Sequence, residues 1–229
     1  MKLLAFDTST EYLSLAILNG SETFTFDVLA GQTHSQIILP QIQTLLVAAG
    51  LQLNDLQGIV FGAGPGSFTG VRIAAGVAQG LGFGSNLPVV GICTLMALAE
   101  ASGTDKVIAC LDARMGEVYH AAYQKTAGKW QAVIEPGLYK PDAVPAVSGN
   151  GWIGAGSGWR TYGEQLTNIY NVQISATLPA LLPSASAMLS LAAPIFASGA
   201  ANPAHDAIPI YIRNRVALKT AEREKGLRL

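Results

Sequence analysis

Residues 62–72 read GAGPGSFTGVR, and the way this glycine-rich stretch is taken decides the fold. Upstream, LQGIVFGAG (56–64) is apolar and reads as a buried strand; downstream, residues 71–83 read as a helix with Arg72 as its one charge. A Walker-type phosphate loop needs Lys and Ser/Thr after its last glycine, but Val71 and Arg72 follow Gly70. The dinucleotide fingerprint fails too, because Pro65 interrupts it and no acidic residue stands about 20 positions on. What remains is a strand-to-helix crossover. Its free amides can hold an anion at the helix start, or the turn is simply tight.

The helix that follows is unusual in its small residues. Ala74, Ala78 and Gly82 recur at four-residue spacing, and so do Gly76, Gly80 and Gly84. A mid-helix glycine costs about 1 kcal/mol relative to alanine. Several of them predict that another helix backbone comes close, either from this chain or from a second polypeptide. The companion is HSQIILPQIQTLLVAAG (34–50), whose Ile38, Ile42, Leu45, Leu46 and Ala49 share one face. Pro40 is expected near its first turn or at a kink.

Outward from this core, KLLAFDTST (2–10), YLSLAILNG (12–20) and ETFTFDVL (22–29) read as a strand meander with a turn at Asn19-Gly20. LPVVGI (87–92) is a strand and TLMALAEAS (94–102) a helix; KVIACLDARMGEVYHAAYQ (106–124) is strand, turn and strand. Beyond it the chain turns irregular, apart from a short helix in SAMLSLAAPIFAS (186–198). The order predicts an α/β fold. Residues 3–18 also align with 108–123, matching Asp7 to Asp112, which suggests two similar lobes. The expected division is an N-terminal lobe over 1–104, a smaller and more irregular lobe over 105–207, and a basic tail over 208–229 that packs back on the first lobe.

Half of the 229 residues are apolar, 13% are charged, and the formal net charge is −1. The chain therefore has a large core and no overall attraction for nucleic acid. Two cysteines, Cys93 and Cys110, make no disulfide framework or zinc cluster, and a reducing cytoplasm is expected. Asp7 interrupts the opening apolar run too early for a signal peptide. Residues 165–205 lack Asp, Glu, Lys and Arg, but Pro179, Pro183 and Pro194 break the run that a membrane span would need.

Candidate chemistry is sparse. DTST (7–10) ends a strand in the way actin-like nucleotide sites do, so Asp7, Thr8 and Ser9 are the candidate nucleotide contacts; the same residues also make an ordinary polar turn. His34, His120 and His205 have no metal-ligand spacing, and no G-x-S-x-G elbow occurs. DARMGEVY (112–119) is an ion-paired turn or a cleft lining. Arg213, Arg215, Lys219, Arg223, Lys225 and Arg228 make the tail basic, which suits either a solvated end or a phosphate contact.

Taken together, LLAFDTSTEYLSLAI (3–17), GPGSFTGVRIAAGVAQGL (64–81), LPVVGICTLMALA (87–99), DARMGEVY (112–119) and PIYIRN (209–214) resemble the TsaB family, formerly YeaZ. These are the bacterial dimerisation subunits of the tRNA threonylcarbamoyladenosine machinery. The resemblance implies an actin-like (ASKHA) fold of two ribonuclease-H-like lobes. It implies a non-catalytic subunit that supports a catalytic paralogue, TsaD, in modifying adenosine 37 of tRNAs decoding ANN codons. An ATPase, TsaE, joins the assembly, tRNA is met through the complex, and the subunit alone forms a homodimer over the same surface. It implies no intrinsic cofactor, with ATP or ADP admitted only at the assembled complex, no metal and no membrane.

The paralogue's H-x-x-x-H metal motif falls here on Thr94 and Leu98, neither of them a competent ligand. The expected partner surface comprises His34, Ile38, Ile42, Leu45, Arg72, Ala74, Ala75, Ala78 and Gly82. The alternative is an actin-like ATPase or phosphotransferase that uses the Asp7 loop.

Overall fold

The computed structural model describes residues 1–212. The first sheet takes β1 (Lys2–Asp7), β2 (Tyr12–Asn19), β3 (Glu22–Leu29), β4 (Gly58–Gly64) and β5 (Val89–Cys93) in the order β3-β2-β1-β4-β5. The first three strands are antiparallel and the last two join in parallel. Parallel joins need crossovers. Two helices supply them, α1 (His34–Ala48) between β3 and β4 and α2 (Phe68–Ser85) between β4 and β5. Then α3 (Thr94–Ala101) leads to the second sheet.

That sheet repeats the plan. It contains β6 (Lys106–Arg114), β7 (Glu117–Thr126), β8 (Lys129–Tyr139), β9 (Trp152–Ala155) and β10 (Ile174–Leu178), ordered β10-β9-β6-β7-β8. β6 takes the place of β1 and Asp112 that of Asp7, as the internal match predicts. α4 (Ser157–Tyr170) links β9 to β10, as α2 links β4 to β5. Between β8 and β9, however, α1 has no counterpart: the Pro- and Gly-rich residues 140–151 form no helix. The two-lobed, actin-like α/β architecture is the expected one, and only the first lobe carries a pair of crossover helices.

Two expectations need correction. The stretch from 125 onward is more regular than it reads, since it contains β8, β9, α4 and β10. GWIGAGSGW looks like a glycine turn, but it is β9 running into α4. Its glycines are there because a Cβ at Gly154 would overlap the Trp159 ring and one at Gly156 would lie 2.5 Å from the Cys110 carbonyl oxygen.

The lobe boundary at 207 is also wrong. α5 (Ala185–Ala197) lies on the first sheet, where Ala185, Met188, Leu189 and Ala192 pack with Leu3, Ala5, Val60 and Val90. Ala185 N–H donates to Ser14 Oγ (2.8 Å), Asn202 bridges to Val89, and Ala204 and Ala207 join the core under α2. Strand alternation explains why: β1 sends Leu4 and Phe6 to the α1–α2 side and Leu3 and Ala5 to the other. That second face needs its own cover, and α5 is the apolar helix that supplies it. Ile210 stays against the first lobe, its N–H donating to the Ala63 carbonyl (2.7 Å), while Ile212 packs against the second lobe's core with Leu98 and Val107. The remainder of the basic tail lies outside the described residues.

The junction between the turn after β1 and the glycine turn sets the geometry of this lobe. Thr8 Oγ1 donates to the Gly70 carbonyl (2.6 Å), and Ser67 N–H donates to the Ser9 carbonyl (2.7 Å). Ser67 also caps α2, its hydroxyl accepting from Gly70 N–H (3.3 Å). A Cβ at Gly70 would overlap the Thr8 carbonyl oxygen, and one at Gly66 would come within 2.5 Å of the Ser9 carbonyl oxygen. At Gly62 it would overlap Asp7 Oδ1.

Asp7 is buried, and its Oδ2 accepts from Ser9 Oγ (2.8 Å) and Ser9 N–H (3.2 Å). Its Oδ1 has no protein partner among the described residues. Burial pushes its carboxyl up from 3.8 to about 6, against the lowering effect of the Ser9 bonds.

Two stability tests follow from this junction. Gly80 faces open space and Gly70 faces backbone. In thermal melts of the isolated chain, Gly80→Ala should gain about 1 kcal/mol, whereas Gly70→Ala should lose about 2 kcal/mol or more because backbone cannot yield cheaply. Equal shifts would contradict the packing. The folded Asp7 carboxyl holds its proton above the ordinary value, so its contribution is complete below about pH 4 and is lost as pH rises through about 6. Denaturant titrations should show Asp7→Asn gaining about 2–3 kcal/mol relative to wild type between those limits, and no further change above them.

Candidate functional site

Three places in the structure can carry function: the cleft between the lobes, the end of β5, and the outer face of α1 and α2. The cleft is a cavity of about 390 Å³ lined by Ser9, Thr10, Ser67, Asp112, Arg114 and Tyr211, among others. Ser9 reaches it, but Asp7 does not line it. Asp7 Oδ1 is turned against Gly62, and Thr8 Oγ1 is engaged by the Gly70 carbonyl. Of the three nucleotide candidates, two are therefore sealed into the β1–α2 junction, and the hydroxyl of the third is held by Asp7. Across the cleft, the DARMGEVY turn is both of the things it reads as. Asp112 Oδ1 accepts from Arg114 N–H (2.8 Å), the two side chains pair at 3.5 Å, and both residues line the cavity.

At the end of β5, Thr94 is fully buried and its hydroxyl donates to the Pro65 carbonyl. Leu98, one helical turn on, is buried with Val107, Ala109 and Tyr123 in the second lobe's core. The two positions thus tie the glycine turn to α3 and α3 to β6. Two of the histidines are likewise engaged. His34 is buried and its Nε2–H donates to the Tyr12 carbonyl (3.1 Å). His120 Nε2–H donates to Tyr170 Oη (2.7 Å), which donates in turn to the Pro145 carbonyl (2.7 Å). Desolvation lowers the His120 pKa to about 4. No cluster of three or more metal-ligating side chains occurs among the described residues, and none of their helices is long and apolar enough to cross a membrane.

The outer face of the α1–α2 pair differs from the one expected. His34, Ile38, Ile42 and Leu45 on α1, and Ala74, Ala75, Ala78 and Gly82 on α2, are all buried inside the chain's own first lobe. They close over Leu4, Phe6, Ile59 and Phe61, and a Cβ at Gly82 would meet Ala204 at 2.8 Å. These eight residues therefore do not present side chains to a partner. The apolar periodicity marks the face that the sheet covers. Of the expected surface, Arg72 alone is exposed.

The open face is the other small-residue row. Among the described residues, a Cβ at Gly76, Gly80 or Gly84 would meet nothing within 4 Å. Ile73, Val77 and Leu81 flank this row half-buried, while Phe83 on α2 and Leu39 and Val47 on α1 are exposed. Phe68 and Arg72 continue the same four-residue spacing toward the helix start. The Arg72 guanidinium lies 3.4 Å over the Phe68 ring, and its Nε donates to Tyr211 Oη (2.8 Å). The sequence contains the signal for this face, two interleaved rows at the same period, but periodicity alone does not say which row faces out.

Comparisons with known proteins bear on this architecture directly. A family model described as "TsaD: tRNA N6-adenosine threonylcarbamoyltransferase" matches residues 28–187. The tRNA threonylcarbamoyladenosine biosynthesis protein TsaB of Escherichia coli K12 is 39% identical, over 96% of this chain and 97% of that protein. Its namesake in Haemophilus influenzae is 38% identical, over 96% of each. The solved structure of YeaZ from Pseudomonas aeruginosa superposes with a TM-score of 0.82 at 37% identity, covering 92% of this chain and 99% of that one. Alike in sequence over nearly its whole length and alike in its two-lobed fold, this chain belongs to the family of the tRNA threonylcarbamoyladenosine biosynthesis protein TsaB, or YeaZ.

Proposed function

We propose that this chain is a non-catalytic subunit that binds a TsaD-type threonylcarbamoyltransferase and supports it in forming N6-threonylcarbamoyladenosine at position 37 of ANN-decoding tRNAs. The observation that carries the reading is the open glycine row of α2. Three mid-helix glycines, each costing about 1 kcal/mol, border empty space in the isolated chain. Nothing among the described residues uses their smallness. A helix backbone laid along the row would, and the half-buried Ile73, Val77 and Leu81 beside it would then be covered.

The non-catalytic part of the proposal is supported by what the scaffold does with its polar residues. Thr94 and Leu98, at the positions of the paralogue's metal motif, are locked into packing. Asp7 is turned away from the cleft that an ATPase or phosphotransferase would use. The remaining parts of the assembly belong to the same proposal: a TsaE-type ATPase, ATP or ADP at the assembled complex, tRNA met through the complex, a homodimer when the chain is alone, and a cytoplasmic setting.

Gly80→Trp tests it, because the bulk enters open space and leaves the fold intact. The variant should melt within a few degrees of wild type, fail to co-elute with the TsaD-type enzyme, and abolish reconstituted tRNA modification. A well-folded variant that still pairs and still supports modification would refute the proposal. Ala78→Trp and Gly82→Trp, on the buried row, should instead unfold the lobe. Calorimetric titration of the isolated chain with Mg-ATP should show no binding that Asp7→Asn removes.

A further inference from the structure

We propose that Arg72 is the residue by which the α1–α2 face distinguishes a carboxylate-bearing partner helix from a second copy of this chain. The inference rests on the docking reading above and adds to it the chemistry of the partner.

The face is almost without charge. α1 contains no Asp, Glu, Lys or Arg, and α2 contains Arg72 alone. Arg72 stands at the head of the open row, one helical turn before Gly76, so a helix lying along Gly76, Gly80 and Gly84 leads to it. It is also held in place. The Phe68 ring lies against its guanidinium at 3.4 Å, and Nε donates to Tyr211 Oη at 2.8 Å. Tyr211 is itself anchored beside Ile210, whose N–H donates to the Ala63 carbonyl (2.7 Å). An exposed arginine ordinarily loses much rotamer freedom when fixed. Much of that ordering exists here before any partner arrives.

No carboxylate lies within ion-pair distance of Arg72 among the described residues; Asp112, Glu100, Glu11 and Asp206 pair elsewhere. A planar guanidinium with its Nε engaged still offers its terminal N–H fork, which matches a carboxylate in geometry and charge. Covering an arginine without a counter-charge is costly, and covering it with one is not.

A two-fold contact between two copies of this face brings the same residues from both sides. Its helices then contribute two Arg72 side chains and no Asp or Glu. A partner helix with small residues for the glycine row and one Asp or Glu at the Arg72 end has no such defect. The face thus favours the unlike pair by a repulsive element in the like pair as well as an attractive one in the unlike pair.

The test compares two equilibria of the full chain, its self-association and its binding to the TsaD-type enzyme, by sedimentation and calorimetry. Arg72→Glu should weaken the unlike pair by about tenfold or more, while self-association stays level, since two like charges still meet there. Arg72→Lys keeps the charge but loses the fork and the stack, so it should fall between. Replacing the partner's facing acid by Lys should restore binding to Arg72→Glu. Melting temperatures of the variants report on folding independently, since Arg72 is exposed. If Arg72→Glu binds the enzyme as wild type does while Gly80→Trp does not, the docking reading stands and this assignment falls. It also falls if both equilibria weaken equally. If Gly80→Trp leaves the unlike pair intact, the face itself is wrong and the assignment goes with it.

Discussion

The close approach of two turns governs this molecule. The carbonyls of Thr8 and Ser9, at the end of the first strand, sit where the Cβ atoms of residues 70 and 66 would otherwise be. Glycine at those positions lets Thr8 Oγ1 and Ser67 N–H close a pair of hydrogen bonds across the junction. The bonds fix where α2 starts and how it lies on the sheet. The face that α2 turns outward, the position of Arg72 and the docking of Ile210 on Ala63 all follow from that placement. In the second lobe, too, a glycine before a helix makes a close approach possible, with Gly156 against the Cys110 carbonyl of β6.

The two lobes then diverge. In the first, α1 and α2 cover one side of the sheet, and α5 returns from the far end of the chain to cover the other. In the second, α1 has no counterpart, and Trp152, Trp159 and Tyr170 fill the space with bulk. This asymmetry gives the first lobe a helix pair with an outer surface and leaves the second with none. Polar residues at the ends of β1 and β5 are drawn into packing, with Thr94 on the Pro65 carbonyl and Asp7 under Gly62.

The opposed rows of α2 have opposite energetics. Ala74, Ala78 and Gly82 are small because the sheet and Ala204 press against them. Gly76, Gly80 and Gly84 are small with nothing against them among the described residues. The first row stabilises the chain as it stands, and the second weakens the isolated helix. No described segment of the lobe makes use of the second, which is why the open row carries the functional proposal.

The sequence alone determined the α/β class, the strand–turn–helix reading of residues 56–83, the duplication that pairs Asp7 with Asp112, and the family. These are properties of local period, turn chemistry and motif, which are written along the chain. Eight of the nine residues it offered for a partner are buried in the first lobe, because the apolar spacing of Ile38, Ile42 and Leu45 marks burial without saying what does the burying. It also missed β8–β10, where Pro136 and Gly137 read as loop, and so does Gly154 until the Trp159 ring is seen to lie where its Cβ would be. Only the tertiary structure could assign α5 to the first lobe and decide which glycine row of α2 faces out. Both depend on which surfaces remain uncovered once distant segments have met, and no local pattern encodes that remainder.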